Sequence, residues 1–412
     1  MYHNTAGFGP AAPVADSGTP LRIALFSGNY NYVRDGANQA LNRLVEYLER
    51  RGAAVRVYSP VSRTPAFVPQ GTLVGVPSLS IPGRAEYRLG LGLPRSIRRD
   101  VRAFAPDLFH LSAPDWTGTA AQTFARSLGV PVVASLHTRF EKYADFYGAR
   151  FVRPAMERHL DRFYGRSDRV LVPTQAIADE FEAAGLGGRI AIWGRGVDRV
   201  RFDPQRRSQA WRARHGIPPD GVALLFFGRL VREKGLADFA DVCDRLTASG
   251  VKVHPVVVGE GPERGWLAKR LPAARLTGHL QGEALGEAVA SADIFLNPSI
   301  TEAFGNVTLE AMASGLPSVS VDVASASALL NNGSGLLYTP GDLDAATAHV
   351  ARLAAFAEMR GRMGRRARDA SASYGWDRAS EQVWVQYHQL LGRGDVDALD
   401  LEAAPRRRAA AS

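Results

Sequence analysis

Short, wholly apolar runs of strand length alternate with longer segments of helical period, and this rhythm passes through the chain twice. In the first half, LRIALFSG (21–28) precedes the helical GANQALNRLVEYLERRG (36–52) and then AAVRVYS (53–59). DLFHLS (107–112), PVVASLH (131–137) and RVLVPT (169–174) continue it, with TGTAAQTFARSLG and TQAIADEFEAAG as helical segments. The second half repeats the rhythm in VALLFFGRL (222–230), KVHPVVVGEG (252–261), ARLTGHL (274–280), DIFLNPS (293–299) and LPSVSVD (316–322). A strand that reads as a continuous apolar run is covered on both faces, so helices must flank a parallel sheet on either side. The chain is therefore expected to be α/β, with two doubly wound lobes and a ligand bound between the carboxyl ends of their strands.

The segment 193–221, WGRGVDRVRFDPQRRSQAWRARHGIPPDG, breaks the rhythm with Gly, Pro and dense charge. The junction is placed there. This predicts a disordered leader over 1–19, a first lobe over 20–199 and a second over 200–375. An amphipathic C-terminal helix over 376–393 packs back toward the first lobe, and 394–412 is a disordered tail. A length of 412 residues with 46% hydrophobic content suits two such cores. No repeat of 20–50 residues is present.

The formal charge of +9 favours acidic partners: phosphorylated ligands, anionic lipid or nucleic acid. Basic residues are scattered and no nucleic-acid module is visible, so nucleic acid is set aside. The single Cys243 excludes a disulfide framework or a cysteine metal site and fits a reducing compartment. The first 19 residues lack the pattern of a signal peptide, and no apolar run approaches a membrane span. The expected location is cytoplasmic, peripheral to the inner face of the membrane.

The stretch SITEAFGNVTLEAMASG (299–315) carries two acids, Glu302 and Glu310, around a turn into a helix. Asn306 is a good N-cap and Gly315 a good stop, so the helix is expected to begin at Asn306. Its first amides and its dipole suit a phosphate. Glu310, one turn inside, suits the vicinal hydroxyls of a ribose, and Glu302 the hydroxyls of a sugar on the same phosphate. Taken alone, both acids are equally ordinary first-turn residues that offset a helix dipole. Arg229 and Lys234, in FFGRLVREKGL, lie five residues apart across a turn where both can reach one diphosphate, although a solvated basic turn has the same composition. Gly259 and Gly261 in VVVGEGPERG permit close backbone approach to a nucleotide; the third glycine is misplaced for a dinucleotide fingerprint, and a plain tight turn is the alternative.

These motifs, in this order, resemble the retaining glycosyltransferases of family 4, which have the GT-B fold: two Rossmann-like domains facing across a cleft. The resemblance spans most of 21–392 and rests chiefly on the E-x7-E pattern from Glu302 to Glu310, with GRLVREKG, VGEGP, GVD and HT around it. It implies that Glu310 holds the nucleotide ribose, that Glu302 contacts the transferred sugar, and that Arg229 and Lys234 bind the diphosphate. The amides of Phe304, Gly305 and Asn306 would face the sugar and diphosphate. In the first lobe it implies that Asp35 and Gly36 form a loop meeting the diphosphate and the acceptor, and that His137 sits near the transferred sugar; an Asp-Gly turn opening a helix would look the same. Asp198 and Arg195, in RGVD, are expected to be structural. Where many relatives carry paired glycines and a glutamate, this chain reads VSVDVASASALLNNG after Asp322, so no ligand contact is assigned to 323–328.

The family chemistry implied is same-face transfer assisted by the leaving phosphate, with no enzymic nucleophile and no cofactor. DLD (342–344) and DVD (395–397) do not fall at strand ends, so a metal-independent reaction is expected. In LPRSIRRDVRAF, Arg95, Arg98, Arg99 and Arg102 share one helical face. With the mixed basic and aromatic stretch RFEKYADFYGARFVRPAMERHLDRFYGR (139–166), they suit an anionic membrane surface, a solvated basic face being the plainer alternative for the first helix. HTRFEKYADFYG and WGRGVD most resemble the glycolipid-forming branch of sulfoquinovosyl, glucuronosyl and mannosyl transferases. The expected partners are a UDP- or GDP-sugar and a lipid acceptor such as diacylglycerol, a ceramide or a phosphoinositide. A soluble or polysaccharide acceptor, a GT-B-shaped nucleotide-sugar 2-epimerase and an inactive scaffold are the alternatives.

Overall fold

The structure, a computed structural model, describes residues 20–32, 35–81, 84–138, 150–331 and 333–393. The leader, the tail and the aromatic stretch 139–149 lie outside the described residues.

The first half contributes β1 (Arg22–Phe26), β2 (Ala54–Ser59), β3 (Thr72–Gly75), β4 (Ser78–Ile81), β5 (Arg84–Gly90), β6 (Leu108–Leu111), β7 (Val132–Ser135), β8 (Arg169–Val172) and β9 (Ile190–Ile192). Seven of them form one sheet in the order β3-β2-β1-β6-β7-β8-β9. The pairs β1–β2, β1–β6, β2–β3 and β8–β9 are parallel, and β4–β5 is a separate antiparallel hairpin. The second half contributes β10 (Ala223–Phe227), β11 (His254–Val258), β12 (Arg275–Gly278), β13 (Ile294–Asn297), β14 (Ser318–Val321) and β15 (Gly335–Tyr338), in the all-parallel order β12-β11-β10-β13-β14-β15.

Strand β10 shows why the apolar runs are continuous. Leu224 and Phe226 enter one core with Phe239, Leu246 and Val350, whereas Ala223, Leu225 and Phe227 enter another with Phe295, Leu309 and Met312. Successive side chains leave opposite faces of a strand, so β10, packed by an apolar core on each face, reads as a continuous apolar run. Burying one such leucine or phenylalanine contributes ~1.5–3 kcal/mol, and this drives helices onto both faces.

The chain packs as two units, Met1–Val133 and Ala134–Ser412. Within the second unit, residues 193–197 are tied to 374–382. Val197 N–H donates to Tyr374 O at 3.0 Å, and Gly194 N–H to Gln382 Oε1 at 3.4 Å. A Cβ on Gly196 would lie 2.3 Å from Trp376 N, so only glycine lets this segment pass the start of the C-terminal helix so closely. The C-terminal helix Trp376–Leu390 rests against β8.

Candidate active site

Arg229 and Lys234 follow the carboxyl end of β10, and Glu302 follows that of β13. After β10 the chain turns through Gly228 and Arg229 into a single 3-10 turn, Arg232–Lys234, closed by Gly235 in the left-handed region (φ 70°). After β13 it runs from Asn297 to the helix Asn306–Ala313. The two loops are stitched together at the carbonyl of Glu233, which accepts from Ser299 Oγ at 3.4 Å and Thr301 Oγ1 at 3.2 Å. Asn297 stiffens the second loop: its Nδ2 donates to Thr308 Oγ1 at 3.1 Å and its Oδ1 accepts from Ser299 N–H at 3.2 Å.

That stitching places Lys234 against Glu302. Lys234 Nζ donates to Glu302 Oε1 at 2.5 Å, with the side chains 20% and 14% exposed. The residue expected on the diphosphate and the residue expected on the sugar therefore hold each other. Ser325 Oγ donates to the carbonyl of Glu302 at 3.0 Å and so fixes the acid's backbone. Ser325 belongs to the stretch given no role from sequence; a serine donating to a carbonyl leaves no spacing signal.

The helix start differs from expectation in one respect. The N-cap is Gly305, in the left-handed conformation (φ 95°, ψ 49°), and Asn306 is the first helical residue. The chain must reverse within one residue after the buried Phe304, and only glycine does so without strain. The Asn306 side chain therefore does not cap, and its Oδ1 is buried with no hydrogen-bond partner. Gly315 closes the helix at φ 72°, as expected.

Glu310 lies one turn beyond the helix start. Burial pushes its carboxyl up to about 8; the charge of Arg201 opposes the shift and that of Glu302 adds to it. Arg201 is held by Asp198, whose carboxylate lies 3.6 Å from Arg201 Nη2 and accepts from the N–H groups of Val200 and Arg201. Asp198 is thus a turn-former that also anchors a cation whose charge acts on Glu310.

Gly259 and Gly261 end β11, and their close approach is to protein. A Cβ on Gly259 would lie 1.9 Å from Gly228 O, and one on Gly261 2.3 Å from Leu230 O. Leu230 N–H donates to Glu260 O at 2.9 Å. The glycine loop thus braces the turn that carries Arg229.

In the first unit, Asp35 caps the helix Gly36–Arg50: Oδ1 accepts from Asn38 N–H at 2.8 Å and Oδ2 from Asn29 Nδ2 at 3.3 Å. Arg95, Arg98, Arg99 and Arg102 are all exposed on the helix Arg95–Phe104, whose Ile97 and Val101 are buried. Arg98 and Arg102 lie 5.7 and 5.0 Å from the Phe124 ring centroid, so the basic face leans partly on its own lobe.

His137 follows β7. Its Nε2 lies 2.9 Å from Ser135 Oγ and its Nδ1 3.0 Å from Arg195 Nη2. Arg195, expected to be merely structural, touches a candidate site residue directly. Cys243 is buried, and burial pushes its thiol up to about 12. Among the described residues, no group of three or more His, Cys, Asp or Glu side chains could hold a metal ion, and no helix is long and apolar enough to cross a membrane.

Two Rossmann-like parallel sheets of this kind make the GT-B fold. The Glycosyltransferase Family 4 profile matches residues 34–201, and the Glycosyl transferases group 1 profile matches 221–355. A sulfoquinovosyl transferase of Arabidopsis thaliana is 31% identical over 88% of this chain and 72% of its own. A GDP-mannose-dependent alpha-mannosyltransferase of Mycolicibacterium smegmatis is 32% identical over 92% and 100%. An alpha-monoglucosyldiacylglycerol synthase of Acholeplasma laidlawii is 24% identical over 72% and 79%. The sucrose-phosphate synthase of Thermosynechococcus elongatus superposes with a TM-score of 0.75 at 18% identity, over 91% of this chain and all of its own, and speaks to the fold alone. The chain belongs to glycosyltransferase family 4.

Proposed function

We propose that the protein transfers a sugar from a UDP- or GDP-sugar to a membrane lipid, with retention at the anomeric carbon and without a metal ion. The observation that carries this reading is the Lys234–Glu302 pair, 2.5 Å apart before a helix start, with Glu310 one turn further in. The unpaired amides and dipole of that helix take the diphosphate, with Arg229 and Lys234 beside it. Lys234 exchanges Glu302 for a phosphate oxygen, which frees Glu302 to accept from sugar hydroxyls. Glu310 accepts from the ribose diol, and the buried Asn306 Oδ1 offers a further acceptor.

In the reaction, the acceptor hydroxyl oxygen bonds to the anomeric carbon as the bond from that carbon to the phosphate oxygen breaks. The hydroxyl proton passes to the departing phosphate on the same face of the sugar. No protein nucleophile is needed; Arg229, Lys234 and the helix amides stabilise the charge that gathers on the leaving diphosphate.

A lipid acceptor is supported by the relative named as a diacylglycerol glucosylating enzyme and by the surface of the first unit. Besides the four exposed arginines, the β4–β5 hairpin sets Leu79 directly opposite Leu89, with both side chains exposed, and Trp116 is 64% exposed. Apolar side chains beside arginines suit a lipid surface with anionic headgroups. Diacylglycerol, a ceramide and a phosphoinositide all present the required hydroxyl.

The test is to incubate the protein with UDP- and GDP-sugars and mixed lipid vesicles, following nucleotide release and new glycolipid by mass spectrometry. A glycolipid formed from one donor is expected. Product on a soluble acceptor alone, or sugar epimerisation without any acceptor, would overturn this reading.

A further inference from the structure

Arg195 is an ion in an unusual setting. It is 5% exposed, and its hydrogen bonds go to neutral acceptors: Nη1 donates to Trp193 O at 2.8 Å and Gly194 O at 2.9 Å, and Nη2 to His137 Nδ1 at 3.0 Å. Its guanidinium carbon lies 4.9 Å from the centroid of the Trp193 ring, and that ring meets His137 edge-on at 5.2 Å and 82°. Burial lowers the guanidinium to about 10, which still leaves it charged at neutral pH.

Guanidinium nitrogens donate and never accept. His137 Nδ1 must therefore present a lone pair, which puts the ring's proton on Nε2. That N–H points to Ser135 Oγ at 2.9 Å. A second proton on the ring would break the Arg195 bond and set two cations side by side in a buried place. Arg195 on Nδ1 and Ser135 on Nε2 fit a neutral ring with Nε2–H as a donor.

We propose that Arg195 is a positioning residue that holds His137 as a neutral Nε2–H donor for a hydroxyl of the bound sugar. The inference rests on the reading of His137 as a residue that meets the sugar. Ser135 Oγ takes the N–H while the site is empty and gives it up when the sugar arrives. No proton is transferred, so His137 serves as a hydrogen-bond donor and not as a base. Arg195 is aimed by its neighbours, since Gly194 and Gly196 are held against Gln382 and Trp376.

The test uses protein labelled with nitrogen-15 in its histidines, with His137 assigned by the loss of its signals in His137→Gln. In the wild type, Nε2 should appear as the protonated nitrogen and Nδ1 as the bare one, still with a single proton near pH 6. In Arg195→Met the ring should take a second proton near ~6.5, as a free imidazole does. The turnover number should fall by about 10-fold while the donor KM stays within about 2-fold, a loss confined to the transition state. Arg195→Lys, which keeps a donor, should restore the single-proton ring and part of the turnover. A proton on Nδ1 in the wild type overturns the proposal, even if Arg195→Met does not fold. So does Arg195→Met with an unchanged ring state. If His137→Gln turns over at the wild-type rate, the sugar-contact reading of His137 fails, whatever the spectra of Arg195 variants show.

Discussion

Lowering the pH from about 8 to about 6 should weaken nucleoside diphosphate binding by about 50-fold, because Glu310 must give up a proton to accept from the ribose. Its carboxyl is pushed up to about 8 in the ligand-free protein, chiefly by burial. About half of the molecules are then deprotonated near pH 8 but roughly 1% near pH 6, a loss of ~2.3 kcal/mol of binding over the two units. Two ribose hydroxyls donating to the carboxylate favour the charged form, so binding near pH 7 should release about 0.9 proton. Titration calorimetry in two buffers of different ionisation enthalpy measures both quantities. Protonation of the diphosphate itself weakens binding in the same direction, so Glu310→Gln is the control: its affinity should be lower near pH 8 and change little that the ligand's own titration does not explain. A wild-type affinity as flat as that of Glu310→Gln, with no proton released, would refute the reasoning. Stability carries the opposite sign. The folded carboxyl titrates above its ordinary 4.5, so the folded protein binds more protons than the unfolded chain between about 4.5 and about 8. Stability is therefore lost as pH rises through that window, and Glu310→Gln should melt higher than the wild type near pH 8.

Glu302→Gln should release Lys234, strengthening the binding of a nucleoside diphosphate without sugar by roughly 3–10-fold while slowing transfer by about 100-fold or more; tighter binding can be read by calorimetry, and an unchanged rate would remove Glu302 from the sugar site. Gly259→Ala sets a methyl 1.9 Å from Gly228 O at φ 145° and should destabilise the protein by about 2–4 kcal/mol, lowering the denaturation midpoint and nucleotide affinity together. Replacing Arg95, Arg98, Arg99 and Arg102 with Ser should cut cosedimentation with anionic vesicles while sparing hydrolysis of the soluble donor; equal cosedimentation would exclude that helix as the membrane contact.

The elements readable in the sequence are those whose physics is local and repeated. Strand β10 announces itself because apolar cores on both faces make all five of its positions apolar. Strand β9, with three residues, and β15, a four-residue GLLY, are too short to establish a period. The β4–β5 hairpin escaped notice because its Leu79–Leu89 pair faces outward, against the usual sense of burial. At the site, Glu302, Glu310, Arg229 and Lys234 were legible through spacing and helix-start chemistry. Ser325, the Gly305 cap and the bracing role of Gly259 were not, since each acts on backbone that only the fold brings near.

The sequence by itself determined the class of architecture, two parallel α/β sheets, and the family, because hydrophobic period and motif order are properties of the chain. Only the tertiary structure decided that Lys234 and Glu302, 68 residues apart, hold each other at 2.5 Å, that burial holds Glu310 near 8, and that Arg195 meets His137 across 58 residues. The physical reason is that desolvation and charge pairing depend on which distant segments exclude water together. No local pattern in a chain records that.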